Sequence, residues 1–233
     1  MMNLKKEIIS GPGFAIVKIS DLKKFEYLRD TFLNKMDLDG EKDILSLRKK
    51  LALMKNHEIN KAMVNLLSFN EASEIMIESC NKIVEELCGK ELLIQRRANT
   101  IFNLPGVEQR RQWPHYELMS GISPYTYVMW APFHDLDDNG GVYYVPQEKS
   151  LDTIKIEHQQ GLVNGPTILS KMSTHKPAKL KFGEVIVFNP FILHGNVSFN
   201  SNLARIACSV RFQNKYKPIM QKNSDFLKLY CLN

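Results

Sequence analysis

His115 and Glu117 stand two residues apart in the run Trp113-Pro114-His115-Tyr116-Glu117, and another histidine, His194, sits in Phe191-Ile192-Leu193-His194-Gly195-Asn196. In an extended chain residues i and i+2 project to the same face, so His115 and Glu117 can point at one metal ion while Tyr116 points away. His194, arriving from a distant strand, would complete one face of the coordination sphere. Two imidazoles and one carboxylate leave other positions open, a combination that suits iron(II) chemistry with oxygen better than a closed structural zinc site. H-x-E alone is weak, since so short a pattern readily arises by chance. Joined to the glycine-flanked His194 and to an arginine eleven residues further on, it gains weight.

That arginine is Arg205. A dicarboxylate bound beside a metal leaves one carboxylate that is best met by a planar, permanently charged partner, and a guanidinium supplies this by bidentate pairing. With Asn200-Ser201-Asn202 as a turn, His194 is expected to end one strand and Arg205 to begin its antiparallel neighbour. Along that second strand Arg205, Ala207, Ser209 and Arg211 share a face. At the usual rise per residue Arg211 lies about 20 Å beyond Arg205, too far for both to serve one carboxylate easily.

The elements that must carry these residues fall into two halves. Gly11-Pro12-Gly13 precedes a β-prone run from Phe14 to Ile19, and Ser20-Asp21 reads as a helix cap. From Asp21 to Gly89 apolar residues often return at three- and four-residue intervals, as in Leu22, Phe25, Leu28 and Phe32 and later Met63, Leu66, Ile83 and Leu87, which predicts a helical block ended by Gly89. Beyond it, short apolar runs separated by Pro, Gly and Asn predict strands within 92–104, 125–133, 141–145, 185–188 and 205–212, closed into a sandwich or barrel. The polar stretch from Glu148 to Lys181 reads as an insertion or lid. The expected organisation is one domain over 1–233, with a helical part at 1–90, a β core at 91–215 and a C-terminal tail at 216–233.

At these residues the sequence resembles the iron(II)/2-oxoglutarate oxygenases with a double-stranded β-helix core, and within them the phytanoyl-CoA dioxygenase-like group. The resemblance spans roughly Trp113 to Phe212. It rests on His115-Tyr116-Glu117, on Trp130-Ala131-Pro132-Phe133-His134-Asp135 leading to Asn139-Gly140-Gly141 and Val145-Pro146, and on Gly183-Glu184-Val185-Ile186-Val187-Phe188 running into His194-Gly195-Asn196 and Arg205. It implies an α+β fold, a jelly-roll core with the N-terminal helical block packed on it. It also implies iron(II) at His115, Glu117 and His194, the far carboxylate of 2-oxoglutarate at Arg205, and O2 as oxidant. Asn196 stands where relatives often place a small hydroxyl residue near the co-substrate. Glu117 stands where most have aspartate, so its longer side chain must fold back to reach the metal. Halogenating relatives lack this carboxylate, so its presence implies hydroxylation or another oxidative step. Gly121-Ile122-Ser123-Pro124-Tyr125 and the ending through Ala204-Arg205 to Val210-Arg211-Phe212 look like the oxygenases encoded among bacterial surface-carbohydrate genes. That likeness implies a small-molecule substrate such as a sugar or nucleotide-linked sugar.

The rest of the sequence bounds this reading. At 233 residues and 44% hydrophobic content the chain suits one globular domain. Its charge of +6, from 31 basic and 25 acidic residues, is spread in short groups such as Arg96-Arg97 and Arg110-Arg111, with no basic stripe for nucleic acid, while a modest positive field suits an anionic small substrate. Cys80, Cys88, Cys208 and Cys231 show no C-x-x-C pair, and no run of about 18 apolar residues exists, so reduced thiols and a cytoplasmic location are expected. His57, His158 and His175 are expected to be ordinary residues, and His134 lacks the chelating spacing of His115 because its i+2 position is Leu136. Tyr116, Tyr125, Tyr127, Trp130, Tyr143, Tyr144 and Trp113 are expected mainly to pack, and Arg211 to meet either the site or solvent. Two rival readings remain: a binding module without turnover, and oxidation of a nucleic-acid base.

Overall fold

The computed structural model describes residues 3–36, 43–105, 114–136, 142–161, 177–196, 201–220 and 227–232. Within them the chain runs α1 (Leu4–Ile9), β1 (Phe14–Lys18), α2 (Leu22–Met36), α3 (Ile44–Leu53), α4 (Asn56–Leu66), α5 (Ala72–Ser79), α6 (Asn81–Cys88), β2 (Glu91–Gln95), β3 (Asn99–Asn103), a 3-10 turn (Glu117–Ser120), β4 (Tyr127–Pro132), β5 (Val142–Tyr144), α7 (Gln147–Gln159), β6 (Glu184–Phe188), β7 (His194–Asn196), β8 (Arg205–Asn214) and β9 (Leu227–Cys231). Seven strands form one antiparallel sheet in the order β1-β6-β4-β8-β2-β9, with β3 pairing beside β2 on β8. A second, smaller sheet of β5 and β7 lies opposite it, and His115 bridges to His194 at its edge.

The alternation of β8 explains the layering. Ile206, Cys208, Val210 and Phe212 point to the helices, while Ala207 joins the cluster between the sheets. Likewise Val185 and Val187 of β6 face the helices, and Ile186 and Phe188 face inward. Strands covered on both faces need apolar residues at consecutive positions, and Val185-Ile186-Val187-Phe188 is such a run. The helical layer is anchored through α2, whose cap Asp21 accepts from the Lys24 N–H at 3.0 Å. Its Phe25 and Phe32 meet Phe133 at ring distances of 5.6 and 5.1 Å. Burying each such ring stabilises by about 1.5–3 kcal/mol. α6 ends at Gly89, whose φ of 74° is a conformation side chains other than glycine's rarely adopt.

The α+β jelly roll with an N-terminal helical block on its outer face matches the expectation, with three differences in detail. Glu148 to Lys181 is not irregular throughout, because α7 occupies its first part; 162–176 lie outside the described residues. The buried face of α7 is Ser150, Thr153 and Glu157, so no apolar stripe advertises it. The stretch 216–233, expected as a tail, carries β9, an edge strand on β2 whose Leu229 remains exposed and which therefore shows no clean alternation. Finally, the strand that begins at His194 pairs with β5 and not with the Arg205 strand, so His194 and Arg205 belong to opposite sheets and meet across the interior. Among the described residues no helix is long and apolar enough to cross a membrane.

Candidate metal centre

His115, Glu117 and His194 converge: one potential ligand atom from each lies within 4.8 Å of the others. The backbone makes this happen. His115 and His194 exchange N–H to carbonyl hydrogen bonds of 2.9 Å in both directions, which places their side chains as cross-strand neighbours, with ring centroids 4.2 Å apart. Tyr116 is extended and turns away into the cluster with Val145 and Leu193, and Glu117 starts the 3-10 turn on the side of the two imidazoles. His115 and Glu117 therefore approach one another as the spacing suggested, but not through two extended residues, because Glu117 has left the extended conformation.

The orientation of His194 is fixed from both sides. Its Nδ1 lies 2.9 Å from the Ile192 carbonyl, which can only accept, so Nδ1 carries a proton and Nε2 is the ring nitrogen turned to the site. Ser150 of α7 holds the preceding backbone, accepting from the Leu193 N–H at 3.1 Å while donating to the Val145 carbonyl at 2.8 Å. Nε2 of His194 faces Oε1 of Glu117 at 3.5 Å. Burial by itself would raise the Glu117 carboxyl, but His194, Arg211 and His115 outweigh it and hold the group down to about 2. Glu117 is thus a buried, charged carboxylate beside two imidazoles, a donor set that fits a divalent transition metal.

Arg205 lies at the first position of β8, 1% exposed. Its Nη2 donates to the amide oxygens of Asn103 and Asn196, each at 2.7 Å, and its guanidinium sits 5.6 Å from the Trp130 ring. Amide oxygens orient a guanidinium without carrying charge. Burial pulls Arg205 down to about 10, so it stays charged at neutral pH. Tyr144 stacks on His194 at 5.8 Å, with 8° between the rings. Burial pushes its phenol upward, with Arg205 opposing and Glu117 adding, so the hydroxyl lies within the field of both. The Tyr144 hydroxyl and the Trp130 Nε1 are buried and find no hydrogen-bond partner among the described residues. Unsatisfied donors of this kind mark a place where a ligand or water completes the site. A guanidinium and buried donors beside a two-histidine, one-carboxylate cluster fit a small organic acid that also reaches the metal.

Of the residues picked out in the sequence, His115, Glu117 and His194 come together, and Asn196 and Arg205 join in a direct hydrogen bond. Three others were not read this way. Asn103, opposite Arg205 in the β3 and β8 register, was detectable only as an amide inside the apolar run Ile101-Phe102-Asn103-Leu104. Tyr144 and Trp130 look like any packed strand aromatics. Arg211 turns to the site, pairing with Glu117 at 2.5 Å. His134 is a satisfied core residue: Nε2 accepts from the Ile206 N–H at 3.2 Å and Nδ1 donates to the Asp135 carbonyl at 2.7 Å. His57 and His158 are exposed on helices. Trp113, Arg110, Arg111, 139–141, His175 and Asn200 lie outside the described residues.

No family model and no curated protein matches the sequence. Solved structures match in fold. HygX from Streptomyces hygroscopicus with nickel and 2-oxoglutarate bound aligns with a TM-score of 0.57 and 12% identity, over 93% of this chain and 88% of that one. The non-heme monooxygenase ThoJ in its nickel complex gives 0.55 and 12%, over 91% and 77% of the two chains. The non-heme alpha ketoglutarate dependent carbocyclase SnoK from nogalamycin biosynthesis gives 0.54 and 12%, over 97% and 94%. The chain shares with them a jelly-roll core carrying helices.

Proposed function

We propose that this protein is an iron(II)- and 2-oxoglutarate-dependent dioxygenase, with His115, Glu117 and His194 as metal ligands and Arg205, steadied by Asn196, as the anchor of the co-substrate's far carboxylate. The observation that carries the reading is the convergence of the three ligand atoms within 4.8 Å. Its support is the buried guanidinium across the same interior and the fold shared with a structure that holds nickel and 2-oxoglutarate. Iron(II) with 2-oxoglutarate and O2 supplies oxidation of a substrate C–H bond, coupled to conversion of the co-substrate to succinate and carbon dioxide.

The chain's own groups perform the binding and positioning. His194 presents Nε2 because the Ile192 carbonyl holds the Nδ1 proton. Arg205 and the Tyr144 hydroxyl receive the far carboxylate, and Phe188, 4.7 Å from the His194 ring, keeps one side of the centre apolar and dry. We read the reaction as a hydroxylation, since a metal carboxylate is present, and the protein as phytanoyl-CoA dioxygenase-like. The substrate we favour is a sugar or nucleotide-linked sugar of surface polysaccharide assembly. The sequence likeness through Gly121 to Tyr125 and the net charge of +6 support that choice.

The test is succinate formation by the iron-loaded protein with 2-oxoglutarate, O2 and a panel of nucleotide sugars. One succinate per oxidised substrate, lost in His194→Ala, is the expected result. Tight binding of a nucleotide sugar without succinate above background would instead make the protein a binding module.

A further inference from the structure

Glu117 is longer by one methylene than an aspartate and so has one more torsion to restrain, yet its two carboxylate oxygens do different things. Oε2 is 2.5 Å from Nη2 of Arg211, while Oε1 faces His194 Nε2 at 3.5 Å. Arg211 is itself held: its backbone N–H donates to Oε1 of Gln95 at 3.2 Å, and its Cα is in register with Val128 inside the large sheet. Arg205 and Arg211 lie six residues apart on the same strand and the same face, so one rigid element carries both the guanidinium at Asn196 and the guanidinium at Glu117.

A carboxylate with both oxygens free can take a metal through one oxygen or through two, and the second mode consumes a coordination position. A charge-assisted hydrogen bond as short as that from Arg211 occupies one lone pair of Oε2 and holds that oxygen turned toward Nη2, which biases the choice toward Oε1 alone. We propose that Arg211 is a positioning residue of the metal centre, which engages Oε2 of Glu117 so that Glu117 binds the metal through Oε1 alone and three positions stay open opposite the protein. The inference rests on His115, Glu117 and His194 being the metal site. It assigns Arg211 a task separate from substrate or co-substrate binding, and it accounts for why a glutamate serves in this chain: the longer side chain spans the gap between the histidine pair and the strand that carries Arg211.

The experiment loads the full-length protein with manganese(II) and measures water-proton relaxation per bound ion, with folding checked by circular dichroism and bound metal by elemental analysis. Wild type is expected to report three exchangeable waters, and Arg211→Met two, a fall of about a third for a six-coordinate ion. A purely structural role for Arg211 would lower melting temperature or metal occupancy but not the relaxation per bound ion. Two waters on wild type, or an Arg211→Met protein that binds manganese with three, overturns the proposal, and two waters on wild type does so even if the variant does not fold. Wild-type protein whose manganese binding is unchanged by His194→Ala would instead refute the metal site itself.

Discussion

His115 and His194 form a mutually hydrogen-bonded backbone pair, N–H to carbonyl at 2.9 Å each way. Strand pairing therefore sets the distance between the two imidazoles before any ion arrives. Such preorganisation places the cost of assembling the site in folding and leaves little for metal binding to reorganise. The same logic extends to Arg205, fixed at the first position of β8 by two amide oxygens.

Co-substrate binding should divide between Arg205 and Tyr144 in proportion to charge. Arg205→Met is expected to weaken 2-oxoglutarate by at least about 30-fold, the equivalent of roughly 2 kcal/mol for a lost buried charge partner. Tyr144→Phe is expected to weaken it about fivefold, as one lost hydrogen bond of about 1 kcal/mol requires. Because the Tyr144 hydroxyl is buried without a partner among the described residues, Tyr144→Phe should leave the ligand-free melting temperature unchanged or higher. Anaerobic calorimetry on the manganese-loaded protein measures the first two, and a melting curve measures the third.

His134 should behave as a structural residue. His134→Ala leaves the Ile206 N–H without its acceptor at a buried position and is expected to cost about 1–3 kcal/mol of stability. Metal and 2-oxoglutarate affinities should stay within about twofold of wild type. Urea unfolding paired with calorimetry separates the two effects; a metal affinity that collapses in a folded variant would give His134 a place in the centre.

Gly13 should tolerate no side chain. Its φ is 86°, and an added methyl would lie 2.4 Å from Cδ1 of Ile192, whose carbonyl orients His194. Gly13→Ala is expected to lose about 1–3 kcal/mol, through strain and overpacking together. Metal affinity should fall with it, since the displaced segment carries the His194 acceptor. Denaturation and metal titration on the same sample test the link.

Acid should loosen the C-terminal edge strand through Glu78. Lys24 Nζ lies 2.5 Å from this carboxylate and the Tyr230 hydroxyl donates to it, and these two hydrogen bonds hold it below its ordinary 4.5. A carboxyl lowered on folding contributes stability that is complete above 4.5 and disappears as pH falls through the native value. Glu78→Gln is therefore expected to flatten the stability curve between neutral pH and the acid limb below 4.5, and hydrogen exchange should show earlier opening of β9 in wild type as that limb is crossed. An identical acid limb in the two proteins would remove Glu78 from the account.

Much of this site was open to reading along the chain. That His115 and Glu117 could share a face was readable from their spacing, because it is a property of extended backbone; that Glu117 reaches the histidines from the start of a 3-10 turn was not. The helix period from Leu22 to Phe32, the Asp21 cap and the Gly89 stop are likewise local, each needing only neighbours a few residues away. What depended on which strand lies beside which was closed to such reading. The pairing of His194 with His115, the placement of His194 and Arg205 on opposite sheets, and the turn of Arg211 toward Glu117 join residues far apart in the chain. Nothing in the identity of Arg211, Asn103 or Tyr144 distinguishes a site residue from a packed one until the sheets close over it. Residue identity and order thus established which side chains could serve as ligands and how far apart they stand along the chain; the packing of two sheets, a long-range balance of burial and pairing, decided which of them meet.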